Sequence, residues 1–148
     1  MKLYTLSLFA IVSLLVACTN AKELEPDVDV PQDTNVIKGV VVTDMNSYKS
    51  DPLGITSVVV DKNKMRVGVK YSGGCKKHEF ELMGNKMISK SLPPKRSIKI
   101  FHHADNDDCR EIIEEIIVFD LSAFAVGDGE ITLRLDGWEE PISYFPIQ

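Results

Sequence analysis

Basic character is scarce in this chain. Its 148 residues carry 17 lysines and arginines against 22 aspartates and glutamates, a formal net charge of −5. The densest basic spots are the pairs Lys76-Lys77 and Lys95-Arg96. Neither builds the stripe that a polyanion-binding surface needs, so no nucleic-acid partner is expected. Aromatic residues are few, at 7%, and Trp138 is the single tryptophan. Its stretch "DGWEEP" reads as packing at a strand end rather than a stacking platform for a sugar or peptide. Catalytic signatures are missing as well. There is no G-x-S-x-G, no H-E-x-x-H and no phosphate-binding loop. Carboxylate pairs are plentiful, but no spacing singles out an acid and a base. No enzyme is expected.

What is present begins at the first residue. "MKLYTLSLFAIVSLLVA" (Met1 to Ala17) sets one positive charge, Lys2, before an apolar run. That run is short for a membrane span and ends on a small residue, as a signal peptide does. The junction "LLVAC" then places Leu15, Val16 and Ala17 directly before Cys18. It resembles the lipobox of bacterial lipoproteins. The resemblance implies cleavage before Cys18 and acylation of its thiol. Each buried methylene contributes about 0.8 kcal/mol, and more than one chain is needed for stable anchoring. A lipid bilayer reached through acylated Cys18 is therefore the first expected partner, in a bacterial cell envelope. Thr19, rather than Asp, follows the cysteine. By the sorting rule of Gram-negative lipoproteins, that favours the outer membrane. Loss of Met1 to Ala17 removes Lys2 and leaves 16 basic against 22 acidic residues. Such a domain gains nothing from an anionic lipid surface, so the acyl chains must hold it there.

Residues 18–34 then read as an anchor and tether. "TNAKELEPDVDVPQDT" is acidic, contains Pro26 and Pro31, and has no sustained hydrophobic period. It cannot bury enough surface to order itself. Fully extended it reaches about 50 Å, and typically nearer about 20 Å. Its acidic start also resembles, weakly, the surface-export signal of some bacterial lipoproteins.

From Asn35 to Gln148 the period becomes two. "KMRVGVKY" alternates Met65, Val67, Val69 and Tyr71 against Lys64, Arg66, Gly68 and Lys70. "EITLRLD" alternates Ile131, Leu133 and Leu135 in the same way. These are half-buried strands. "VIKGVVV", "ITSVVV", "HEFELM", "SIKIFH" and "PISYF" add further strands, with "DKNK" as a hairpin turn. "EIIEEIIVFDL" fits either helical or strand spacing, and its β-branched residues favour a strand. About eight short strands imply an all-β fold: an antiparallel β-sandwich of immunoglobulin-like, Greek-key character. A hydrophobic content of 44% suits one such domain.

The three cysteines bear on the chemistry. With Cys18 acylated, Cys75 and Cys109 remain. In an oxidising compartment they are expected to pair. A zinc site competes with that reading, using Cys75, His78, Cys109 and His102 or His103. C-x-x-H is a known half-spacing, whereas the second half fits no standard knuckle. His78 shares a strand face with Phe80 and Leu82, and His102 shares one with Ile98 and Ile100. Both should point inward and donate to a carbonyl or carboxylate. His103 should face solvent. A Zn or Cu site on His78, His102 and His103 with acidic oxygens remains open. "DNDD", with Asp105 and Asp107, offers oxygens for Ca but lacks the glycine and distal Glu of an EF-hand.

Together, "SGGCKKHEFEL", "HHADNDDC" and "VFDLS" resemble a group of short uncharacterised bacterial lipoproteins. The shared pattern is G-G-C-x-x-H-x-F, then a His- and Asp-rich segment ending in Cys, then F-D-L-S. Here it falls on Gly73, Gly74, Cys75, His78 and Phe80, on His102 or His103 with Asn106, Asp108 and Cys109, and on Phe119 to Ser122. The resemblance implies a β domain with a Cys75–Cys109 bridge and no known activity. The expected function is a membrane-anchored, non-enzymatic binding or structural module. Its exposed strand edges would meet a protein partner, or a cleft a small molecule. The alternative is a metal-binding lipoprotein.

Overall fold

The computed structural model describes residues 35–147. The signal segment, Cys18 and the acidic tether lie outside the described residues. Alternation in the sequence becomes strand after strand: β1 (Val36–Lys38), β2 (Val40–Val42), β3 (Gly54–Asp61), β4 (Lys64–Gly73), β5 (Glu79–Asn85), β6 (Lys95–His103), β7 (Glu111–Asp120), β8 (Ile131–Leu135) and β9 (Ile142–Tyr144). Among the described residues the only helical piece is a 3-10 turn, Ser122–Phe124. One sheet has the order β1-β7-β4-β3 and the other β2-β5-β6-β8-β9.

The all-β sandwich is as expected, but its sheets are mixed rather than purely antiparallel. β1 runs parallel to β7, β2 to β5, and β6 to β8. Period-two alternation reports which face is buried, not which way a neighbour runs. Each parallel pair is separated by a long stretch of chain, which supplies the crossover such pairing requires. Within this frame β7 returns to lie beside β4 after the β5–β6 hairpin has been laid in the opposite sheet. That return gives the fold its Greek-key character.

The inward residues of β4 fill the centre. Met65, Val67 and Val69 are fully buried, as are Ile131 and Leu133 of β8 and Phe119 of β7. Each such side chain contributes about 1.5–3 kcal/mol relative to exposure. The segment around Ile113 forms β7, a strand, with Ile117 and Phe119 inward and Ile112 and Ile116 exposed. Trp138 packs against the core rim.

"VIKGVVV" reads as one strand but divides at Gly39 between the two sheets. Gly39 donates its N–H to the Asp120 carbonyl at 2.9 Å. A Cβ at this position would lie 2.6 Å from the Phe124 ring, so the strand can switch sheets only where there is no side chain. At the same end, Lys62 and Asn63 join β3 to β4. Asn63 accepts from the Tyr144 hydroxyl at 2.9 Å and the Ile147 N–H at 3.0 Å, and donates to the Ile147 carbonyl at 2.7 Å. The opposite end carries two of the crossings between sheets, β4 to β5 and β6 to β7. The candidate site is built there.

Candidate functional site: a buried histidine pair beneath a disulfide

Cys75 lies in the β4–β5 crossing and Cys109 in the β6–β7 crossing. They form a disulfide with their Cα atoms 5.8 Å apart. The bridge therefore ties together two of the connections that carry the chain between sheets. Asp107 reinforces the tie. Its Oδ2 accepts the backbone N–H of Cys75 and of Lys76, each at 2.9 Å, and its Oδ1 accepts that of Cys109 at 3.0 Å. The left-handed backbone of Asp105 and Asn106, with φ of 49° and 53°, turns the loop so that Asp107 points inward.

Beneath the bridge lie the two inward histidines. His78 precedes β5 and His102 lies near the end of β6. His78 Nε2 donates to Asp107 Oδ2 at 3.2 Å. His78 Nδ1 and His102 Nε2 are 2.8 Å apart. His102 Nδ1 donates to the Pro52 carbonyl at 3.0 Å. The His78 side chain is 1% exposed and that of Asp107 is 0% exposed. Gly73 makes room for this arrangement, because a Cβ there would sit 2.5 Å from the His78 ring. Tyr71 covers both imidazoles, with ring centroids 4.7 Å from His78 and 4.9 Å from His102. Phe80 stacks on His102 at 5.0 Å. The Tyr71 hydroxyl donates to Glu115 at 2.5 Å.

The electrostatics follow from these contacts. The Cys109 N–H, with help from the Lys76 and Cys75 N–H groups and His78, holds the Asp107 carboxyl well below the usual range against the opposing effect of burial. Burial pushes His102 down, and so does His78, while the Pro52 carbonyl and Asp51 partly offset them. Burial, followed by Glu115, pushes the Tyr71 hydroxyl well up. His102 is thus a neutral ring and Asp107 an ionised one-sided anchor.

The expected inward orientation of His78 and His102, each donating to a carboxylate or carbonyl, is what the structure shows. Their mutual contact was not readable from strand periodicity. Nor were the Tyr71 cover, the carbonyl of Pro52 or the inward role of Asp107. The other candidate ligands do not join them. His103 faces outward, 3.8 Å from Glu81, with its side chain 44% exposed. The Asp105 carbonyl accepts Lys76 Nζ at 2.5 Å. Ligand atoms of Cys75, Asp107 and Cys109 lie within 4.8 Å of one another. Zinc binds thiolates, however, and both sulfurs are held in the disulfide. The facing nitrogens of His78 and His102 are engaged with each other. Nearby, Ser50, Asp51, Leu53, Lys99 and Asp136 line a shallow cleft of about 240 Å³, crossed by the Lys99–Asp136 ion pair at 2.9 Å.

Neither a family model nor a curated protein matches the sequence. Solved structures do resemble the fold. A NigD-like immunity protein from Bacteroides caccae superposes with a TM-score of 0.57 at 17% identity, over 76% of this chain and 64% of that one. A protein of unknown function, DUF1344, from Bacteroides vulgatus gives a TM-score of 0.54 at 15% identity, over 76% and 57%. This chain therefore spans less than two thirds of either neighbour, and the likeness is one of fold.

Proposed function

We propose that the protein is a lipid-anchored binding module of a bacterial envelope, without enzymatic activity. It would be held by acylated Cys18 and would receive an extended segment of a partner protein along β3. The open edge of β3 carries this reading. Among the described residues β3 pairs with β4 alone. From Gly54 to Val60 it contains no charge and no proline, two of the devices that blunt a sheet edge, and its one irregularity falls between Ile55 and Ser57, ahead of the regular Val58–Val60 stretch. Val59 is 58% exposed. An incoming strand would complete the ladder with main-chain hydrogen bonds and select its side chains at alternate positions. The buried polar groups are consistent with this role. Asp107, His78 and His102 satisfy one another inside the domain, and the chain of contacts ends on a carbonyl rather than a nucleophilic hydroxyl or thiol. That one fold neighbour is described as an immunity protein accords with a binding role.

The test places a photo-cross-linking side chain at Val59, and separately at the fully exposed Leu92, in cells making the full chain. A discrete protein adduct from Val59 and none from Leu92 supports the reading. No adduct, or equal adducts from both, removes it. Cys18→Ser in the same cells should leave the protein unacylated. A variant that remained acylated and membrane-bound would remove the anchor.

A further inference from the structure

The buried pair of imidazoles poses a problem of proton counting. Three contacts run in series: Asp107 to His78, His78 to His102, and His102 to the Pro52 carbonyl. Each requires one proton between its two heavy atoms. The end groups, a carboxylate held ionised and a carbonyl, supply none. The four ring nitrogens must therefore carry three protons. Two neutral imidazoles carry only two. We propose that the His78–His102 pair retains a third ring proton, forming a buried imidazolium on the His78 side that is balanced by Asp107. Further, this proton latches together the two crossings and the segment around Pro52.

The arrangement is consistent at every atom. His102, kept neutral by its burial, donates through Nδ1 to Pro52 and accepts at Nε2. His78 donates through both nitrogens, to His102 and to Asp107. Removing the third proton breaks one contact, whichever tautomers result. Either two lone pairs face each other across 2.8 Å, or a ring lone pair faces the Pro52 oxygen at 3.0 Å or the Asp107 carboxylate at 3.2 Å. A buried cation is costly when alone. Here its partner carboxylate is equally buried and fixed by three backbone N–H groups.

The charged and titratable groups around the pair are accounted for. β4 contributes Tyr71, a donor to Glu115 of β7. The segment before β3 contributes Asp51, whose Oδ2 accepts the Ala104 N–H at 2.8 Å. The β4–β5 crossing contributes Lys76, whose Nζ is held by the Asp105 carbonyl. On β6, His103 points away toward Glu81. Asp107 is thus the one carboxylate in direct contact with either ring among the described residues.

The sign of the pH dependence is fixed by this count. The unfolded chain gives up its histidine protons near the ordinary value of about 6.5. The folded pair keeps one more. The latch is fully present below that value and is lost as pH rises through the point where the pair releases its proton. Between the two, folding weakens about tenfold in its equilibrium constant per pH unit.

The deciding experiment is nitrogen NMR on the full chain in detergent micelles, with 15N-labelled histidine, at pH 7.5. Assigned ring by ring, with the exposed His103 set aside, the expected result is His78 protonated on both nitrogens, His102 protonated on Nδ1 only, and three slowly exchanging N–H signals from this pair. Neutral rings at both His78 and His102 would overturn the proposal. Denaturant unfolding between pH 6 and 9 gives an independent reading. Wild type should lose stability with rising pH, whereas His78→Gln, which carries no titrating proton, should not. Equal slopes in the two proteins would also overturn it. If His78→Gln does not fold, the NMR result on wild type decides alone.

Discussion

Reducing the Cys75–Cys109 bridge, or replacing both residues by serine, is the most quantitative perturbation the structure invites. The bridge closes a loop with a sequence separation of 34. The chain-entropy relation then assigns about 4 kcal/mol at 25 °C, almost all of it from restriction of the unfolded chain. The native side should change little. Asp107 holds the N–H groups of Cys75, Lys76 and Cys109 without help from the sulfurs. The double serine variant should therefore keep the near-UV circular dichroism of the wild type. It should show a larger denaturant m-value, because its unfolded state exposes more surface. It should melt about 15–20 °C lower, as expected for a domain of this size. Equilibrium unfolding in urea, with and without reductant, measures all three. A stability within about 0.5 kcal/mol of the oxidised protein would refute the reasoning. A lost near-UV signal with an unchanged m-value would show instead that the bridge acts on the folded state.

Three further outcomes follow from particular contacts. Phe124 is fully buried against Gly39 and Gly84, so Phe124→Ala should cost about 3–5 kcal/mol in urea unfolding. Asp107→Asn should flatten the acid limb of the stability curve. The depressed carboxyl of the folded state adds stability above the unfolded value of about 3.9 that is lost as pH falls, and unfolding from pH 6 to pH 2 tests this. Asn63→Ala leaves the Tyr144 hydroxyl and both backbone groups of Ile147 without their partner. It should cost about 1–3 kcal/mol and speed amide exchange at the last residues.

The strands of this fold were readable wherever one face was buried and the other wet. β4 and β8 alternate because Met65, Val67, Ile131 and Leu133 face the core while their neighbours meet solvent. The same alternation aimed His78 and His102 inward. Counting cysteines, with Cys18 expected to be acylated, pointed to the bridge. What could not be read depends on residues far apart in sequence. "VIKGVVV" is β-branched on both sides of Gly39, and only the Phe124 ring shows why the strand must change sheets there. The parallel ladders leave no trace in local pattern, since either neighbour direction buries the same face. In "DNDD" four polar residues look alike. It takes the left-handed turn at Asp105 and Asn106 to single out Asp107. The acceptor for His102 is a backbone carbonyl, which side-chain chemistry does not announce.

The switch at Gly39 has a mechanical consequence. One short strand is stitched first to β7, through the pairs Val36–Val118 to Lys38–Asp120, and then to β5, through Val40–Met83 to Val42–Asn85. A pull along this strand, transmitted from the residues ahead of Asn35, loads the rungs of both ladders together in shear. Phe124 packs against Gly39, the midpoint where the strand changes sheets. Tension on the leading end is therefore shared by the two halves of the sandwich. When the seam gives way, both sheets lose an edge in the same event.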